Sequence, residues 1–181
     1  MITHIIEIMT EKQENIIQAA IKLFSERGYA ATSTNAIAKE AAVSEGLIFR
    51  HFGNKEGLLH AIIKTGEEVL KQMLFPIVME NDPKLVIKRT IELPFDVKKE
   101  DYEFWKLQFK LKWELKEYSH EKMFPLINAL TVAFKKLGYD NPQLEAQYLT
   151  IYIEAIGEAI LKGYLNNGAE IKQFILNKYD L

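Results

Sequence analysis

The sequence predicts an all-α fold of about nine helices, a small three-helix N-terminal domain followed by a larger helical domain. Three observations carry this. Apolar residues recur at three-and-four spacing from Glu11 onward, the period of a helix with one buried face. Hydroxyl, Asn, Asp, Pro and Gly residues punctuate the chain where helices start and stop. No stretch alternates apolar and polar residues over a strand's length.

Taken in order, Ile16, Ile17, Ala20, Leu23 and Phe24 line one face of a helix from Glu11, which Gly28 ends with Tyr29 placed to fold back. Thr32-Ser33-Thr34 supplies the N-cap of a short helix with Ile37, Ala38 and Ala41 inward. Ser44 caps a third helix through Ile48 to Phe52, and Asn54 caps a fourth from Lys55 towards Leu74. Asn81-Asp82-Pro83 starts a fifth, which Pro94 interrupts. Asp101 opens an aromatic helix to about Tyr118, and Ser119-His120-Glu121 begins another that ends at Leu137-Gly138. The longest helix is expected from Pro142 to about Leu165, closed by Asn166-Asn167-Gly168, and a short last one covers Glu170 to Lys178.

Composition bounds the chemistry. The chain has 181 residues, 48% hydrophobic and 27% charged, which is ordinary for a globular protein and excludes disorder and collagen. With no cysteine there is no disulfide, thiolate metal site or Cys nucleophile. Met1 to Met9 lacks the basic region and cleavage site of an export signal, and Met9-Thr10-Glu11 reads as a second start after an N-terminal extension, 1–9. The apolar run Met73 to Val78 contains Pro76 and falls far short of the roughly 20 residues of a membrane helix, so no membrane partner and a cytoplasmic location are expected. His4, His51, His60 and His120 have no metalloprotease spacing, and there is no Gly-rich phosphate loop or G-x-S-x-G elbow. The expectation is a protein that is not an enzyme and needs no cofactor.

Residues 33–52 hold two short helices around a tight turn at Ala42-Val43, the layout of a helix-turn-helix. The stretch Ile16-x-x-Ala19-Ala20-x-x-Leu23-Phe24-x-x-x-Gly28-Tyr29-x-x-Thr32-Ser33, followed by Ile37-Ala38-x-x-Ala41-x-Val43-Ser44-x-Gly46-x-Ile48-Phe49-x-His51-Phe52-x-Asn54-Lys55-Glu56-x-Leu58, closely resembles the N-terminal domain of the tetracycline-repressor (TetR) family of transcriptional regulators. The resemblance is ungapped over about 50 residues. It implies a homeodomain-like DNA-binding domain at 10–60 and a C-terminal effector-binding and dimerisation domain at 61–181.

On that resemblance the DNA-binding positions are Thr32, Ser33 and Thr34 at a helix start, where hydroxyls and free N–H groups bind phosphate, and Ser44, Glu45, Gly46, Leu47, Phe49, Arg50 and His51 on the recognition helix. Lys55 joins them at the start of the fourth helix, where ammonium and dipole both favour a phosphate. Arg50 suits a bidentate guanine contact or a phosphate clamp; the alternative is a solvated arginine paired with a glutamate. Ile48 and Phe52 are expected to point into the core.

Three positions depart from the family pattern. Ala42 replaces the usual Gly, at a cost of roughly 1 kcal/mol if the turn is left-handed. Phe49 replaces a tyrosine whose hydroxyl reaches a phosphate, and Glu45 replaces a frequent lysine, where it either accepts from a cytosine amino group or repels the backbone.

In the second domain seven aromatics fall between Phe95 and Tyr118, and Trp105, Phe109 and Trp113 share one helix face. Core packing is one reading. The resemblance implies a small effector in a pocket between helices, with the fourth helix transmitting its binding to the reading head, and the aromatic cluster leads to the expectation of an apolar or aromatic ligand lined by Trp105, Phe109, Trp113, Met123 and Tyr152. The helices from Glu121 to Leu137 and from Pro142 to Leu165 are those the family uses for a two-fold homodimer.

The function implied is a ligand-responsive regulator, a repressor that binds a palindromic double-stranded DNA operator as a dimer. The alternative is a helical ligand- or partner-binding protein of the same fold with weak or lost DNA binding. Charge sharpens the choice. Between Thr10 and His60, Lys12, Lys22, Arg27, Lys39, Arg50 and Lys55 are matched by Glu11, Glu14, Glu26, Glu40, Glu45 and Glu56. Affinity for DNA must then rest on placed contacts and avidity rather than on a basic surface.

Overall fold

A computed structural model describes residues 9–114 and 120–181. The N-terminal extension before Met9, and Tyr118 and Ser119, lie outside the described residues. The described chain contains nine α-helices: α1 (Glu11–Arg27), α2 (Thr34–Glu40), α3 (Glu45–Phe52), α4 (Lys55–Val78), α5 (Pro83–Glu92), α6 (Tyr102–Glu114), α7 (Phe124–Lys136), α8 (Pro142–Leu161) and α9 (Gly168–Lys178). Short 3-10 turns occupy Leu93–Phe95, Lys99–Asp101 and His120–Met123. Among the described residues no strand occurs, and no helix is long and apolar enough to cross a membrane.

The chain divides into two compact units. The first comprises α1 to α3, α4 up to Leu70, and α6, so it is larger than the 10–60 segment expected to read DNA. Its core is built from Ile16, Ile17, Ala20, Leu23 and Phe24 of α1, Ile37 and Ala38 of α2, Ile48 of α3, and Leu58 and Ile62 of α4, all buried. Helix α6 packs on α1 and buries Phe104, Leu107 and Leu111. There the Ser25 hydroxyl donates to Glu103 at 2.8 Å, and the buried Gln108 amide donates to the Ile62 carbonyl at 3.2 Å, filling the space beside Gly66.

Local chemistry explains the helix ends. Thr10 forms a reciprocal capping box with Gln13, Ser33 accepts from the Ala36 N–H, and Asn54 Oδ1 accepts from the Gly57 N–H. Gly28 ends α1 at φ 84°, and Tyr29 folds back edge-on to Phe24 with ring centroids 5.2 Å apart. Ser44 occupies the N-cap of α3, but its hydroxyl makes no capping bond, contrary to the sequence expectation.

The second unit holds α5, α7, α8 and α9. Helix α8 packs along α7 and against the Leu93–Phe95 turn, and α5 packs on α7 and α9. Leu126, Leu130, Phe134, Ala146, Leu149 and Ile153 form its centre with Ile87 and Ile91. Tyr179 folds onto Phe134 and Tyr139, and burial, with Glu145 beside it, pushes its phenol well above the usual tyrosine range.

Four boundaries differ from expectation. Helix α4 continues through Pro76 to Val78, because a proline in the last turn removes only one intrahelical bond, and the freed end is tied by Arg89 Nη1 donating to the Pro76 carbonyl at 3.1 Å. Helix α7 proper starts at Phe124, after the 3-10 turn. Helix α8 stops at Leu161, because Gly163 takes φ 73° and the Tyr164 N–H returns to the Ala159 carbonyl. Helix α9 begins at Gly168, two residues before the expected Glu170.

Candidate nucleic-acid interface

Helices α2 and α3 are joined by a turn closed by two backbone hydrogen bonds. The Ala42 N–H donates to the Lys39 carbonyl at 3.2 Å and the Val43 N–H to the Ala38 carbonyl at 3.0 Å, the paired bonds of a Schellman ending. Such an ending needs a left-handed residue, and Ala42 supplies it at φ 53°. The strain anticipated for alanine at this turn is therefore present, at roughly 1 kcal/mol.

With Ile48 fully buried, α3 is anchored by one side and presents the other. Ser44, Gly46, Phe49 and Arg50 are exposed, and Glu45, Leu47 and His51 are half-buried. Phe52 is only half-buried, with its ring edge-on to His51. A Cβ added at Gly46 would meet nothing within 4 Å, so this glycine leaves a bare backbone patch on the open face. Glu45 lies one turn from Phe49, and Gly46 one turn from Arg50. Among the described residues none forms an ion pair with Arg50, so the guanidinium keeps its donors for an external acceptor.

At the start of α2 the three hydroxyl residues part company. Ser33 is exposed and caps the helix. Thr34 is half-buried and donates to Glu45 Oε1 at 2.6 Å. Thr32 corrects the sequence reading: it is 2% exposed, and its hydroxyl donates to the carbonyls of Leu23 and Gly28. A side chain so enclosed closes the turn after α1 and cannot meet a phosphate.

Lys55 also turns inward. Its ammonium donates to the carbonyls of Tyr29 and Thr32, each at 3.0 Å, and lies 4.3 Å from the centre of the Tyr29 ring. Two of its three donors thus brace the turn between α1 and α2. Tyr29, absent from the sequence-derived site, is the platform for that brace. Its only sequence signal is the position after Gly28.

The residues expected at the effector are distributed over the two units. Trp105 and Phe109 are half-buried on α6 in the first, Met123 and Tyr152 are half-buried in the second, and the side chain of Trp113 lies outside the described residues.

A short helix locked through a Schellman turn to a second, with a bare glycine, a guanidinium and a carboxylate on its open face, defines a helix-turn-helix protein. Residues 16–62 match the family of bacterial regulatory proteins, tetR family. That match covers the helix-turn-helix segment, about a quarter of the chain. It is 42% identical over 66 residues to the HTH-type transcriptional regulator HbdR of Aromatoleum sp. (strain CIB), across 36% of this chain and 29% of HbdR. It is 25% identical over 193 residues to the HTH-type transcriptional regulator YuxN of Bacillus subtilis (strain 168), across 95% of this chain and 63% of YuxN. The matches thus span less than two thirds of either relative. In fold it is similar to a TetR-like transcriptional regulator from Rhodococcus sp. RHA1, with a TM-score of 0.74 at 19% identity over 91% of this chain and 93% of that one. It is also similar to SmeT in its triclosan complex, with a TM-score of 0.68 at 18% identity over 93% and 90% of the two chains.

Proposed function

We propose that this protein is a ligand-responsive transcriptional regulator, a repressor that binds a palindromic operator as a homodimer and is released by a small apolar or aromatic effector. Residues 10–60 read the DNA, and residues 61–181 dimerise and sense the effector. The observation that carries the reading is the outer face of α3, where Arg50 stands exposed beside the bare backbone of Gly46. A guanidinium with unused paired donors fits the O6 and N7 edge of guanine in the major groove.

Dimerisation is supported by a second face. Leu144, Tyr148 and Ile151 are exposed along one side of α8, and Phe124 and Val132 are exposed on α7. An apolar stripe on two adjacent helices calls for a partner, and a second copy brings the same stripe through a two-fold axis. Dimerisation in turn supplies the avidity that a charge-balanced head needs. The effector reading draws on the aromatic side chains of α6 and on the triclosan complex of the structurally similar SmeT. Effector binding acts by biasing the spacing of the two reading heads, so that ligand and operator oppose each other by linkage.

The test is an electrophoretic shift with duplex DNA upstream of the protein's own gene, at several salt concentrations. Retardation with a shallow salt dependence is expected, since few phosphates meet a lysine or arginine. No retardation even at low salt would overturn the regulator reading and leave a binding protein of the same fold.

A further inference from the structure

Glu45 is the residue of the reading face whose chemistry is least expected against a polyanion. The structure also shows it held. Glu45 is the first residue of α3, where the helix dipole favours a carboxylate. Its Oε1 accepts the Thr34 hydroxyl at 2.6 Å, the short distance of a charge-assisted bond. Thr34 is itself the first residue of α2 and half-buried, so the brace is anchored in a neighbouring helix rather than in solvent. An ionised carboxylate has about four acceptor sites and no donor, and one hydroxyl occupies one of them.

We propose that Glu45 is a specificity-determining residue that reads the amino group of a cytosine in each half-site, with Thr34 as its positioning residue. The proposal rests on the DNA-binding reading above. Phosphate oxygens, guanine N7 and O6, and thymine O4 are all acceptors and repel a carboxylate. Adenine offers N6–H but sets the N7 acceptor directly beside it. Cytosine N4–H has an acceptor on one side only, the O6 of its paired guanine, and C5–H on the other, whereas adenine N6–H lies between N7 and the thymine O4. Arg50, five residues along the same helix, is displaced from Glu45 by about 7.5 Å along the axis, roughly two base steps, and so addresses a different base pair. Acceptor and donor, about 140° apart around the helix as well as displaced along it, therefore specify two positions of opposite chemistry. That replaces the basic surface this domain lacks with discrimination.

Selection of bound duplexes from a randomised library tests this with the full-length wild type, Glu45→Gln and Thr34→Val at one fixed salt concentration. Wild-type sites are expected to carry an invariant C·G pair in each half-site, and changing it to T·A should weaken binding on the order of 10- to 100-fold. Glutamine is isosteric and keeps an oxygen for Thr34, but it adds an amide donor, so the preference at that one position should move to adenine. Thr34→Val keeps the carboxylate and loses its brace. Discrimination at the same position should fall several-fold while the other positions keep theirs. Identical base preferences in wild type and Glu45→Gln would overturn the proposal. A wild type that enriches no sequence would instead overturn the DNA-binding reading beneath it.

Discussion

The outer faces of α3 and α8 are both exposed, and they differ in almost every physical respect. Helix α8 shows water a stripe of Leu144, Tyr148 and Ile151, the last 68% exposed, on a scaffold with no positive φ inside the helix. Helix α3 shows a carboxylate, a bare glycine, a phenylalanine and an arginine, held by a turn strained at Ala42. An apolar stripe gains free energy from any surface that excludes water, so its natural complement is its own copy. A mixed face gains only where donors and acceptors meet their opposites, so its complement is a patterned polar edge such as the major groove. Exposure alone therefore says little about function. The chemistry of what is exposed separates an assembly face from a reading face.

The largest expected effect breaks the first face. In the proposed dimer, Ile151→Glu puts a carboxylate from each copy into the α8 interface and removes two isoleucines from it, each worth about 1.5–3 kcal/mol of burial. Self-association should weaken by at least about 100-fold, giving a monomer in light scattering at micromolar concentration. Operator affinity should fall with it by roughly 100-fold or more, because two half-sites no longer act together. A dimer that persists would mean that α8 is not the interface.

Breaking the second face should leave the first intact. Arg50→Ala is expected to cost about 1–3 kcal/mol of operator binding and to relax base preference at one position, with light scattering unchanged. Loss of binding that is uniform across sequences would assign Arg50 to a phosphate.

What was legible in the sequence follows this division. Local chemistry was readable: the caps at Ser33, Asn54 and Asp82, the stop at Gly28 and the left-handed Ala42 depend on residues within one turn of each other. Burial of Ile48 and exposure of Gly46 and Arg50 followed from helical period. Side-chain direction was not readable where a distant residue decides it. Thr32 turns in because Leu23 and Gly28 present carbonyls, and Lys55 turns in because Tyr29 offers both a carbonyl and a ring. The Thr34–Glu45 bond joins residues eleven apart across a turn, and no spacing rule announces it. Packing of α6 on α1 is likewise a tertiary fact that periodicity cannot supply.

The strain at Ala42 gives a smaller and cleaner test of how the reading face is aimed. Ala42→Gly places at φ 53° the residue that tolerates it, and stability should rise by up to about 1 kcal/mol in chemical denaturation. The extra freedom that glycine brings to the unfolded chain opposes part of this gain. A clear loss of stability would mean that the alanine methyl contributes packing that outweighs the backbone strain.

The smallest effect lies where α6 meets α1, at Glu103, whose carboxyl Lys106 and Ser25 both donate to and hold below the usual carboxylate range. A depressed folded-state pKa means that the stabilisation is present at neutral pH, above the value for the unfolded chain, and is lost as the pH falls through the folded value. Ser25→Ala removes one of the two donors at a largely exposed carboxylate, so the loss at pH 7 should be at most about 1 kcal/mol. Alanine is also the better helix former, which partly offsets that loss at every pH. The pH dependence separates the two contributions, because helix propensity does not titrate and the bond does. Urea denaturation of wild type and variant at pH 7 and near pH 3 should therefore show Ser25→Ala gaining relative to wild type as the medium is acidified. The same difference at both pH values would mean that Ser25 contributes nothing through Glu103, and that α6 is held on α1 by its apolar contacts alone.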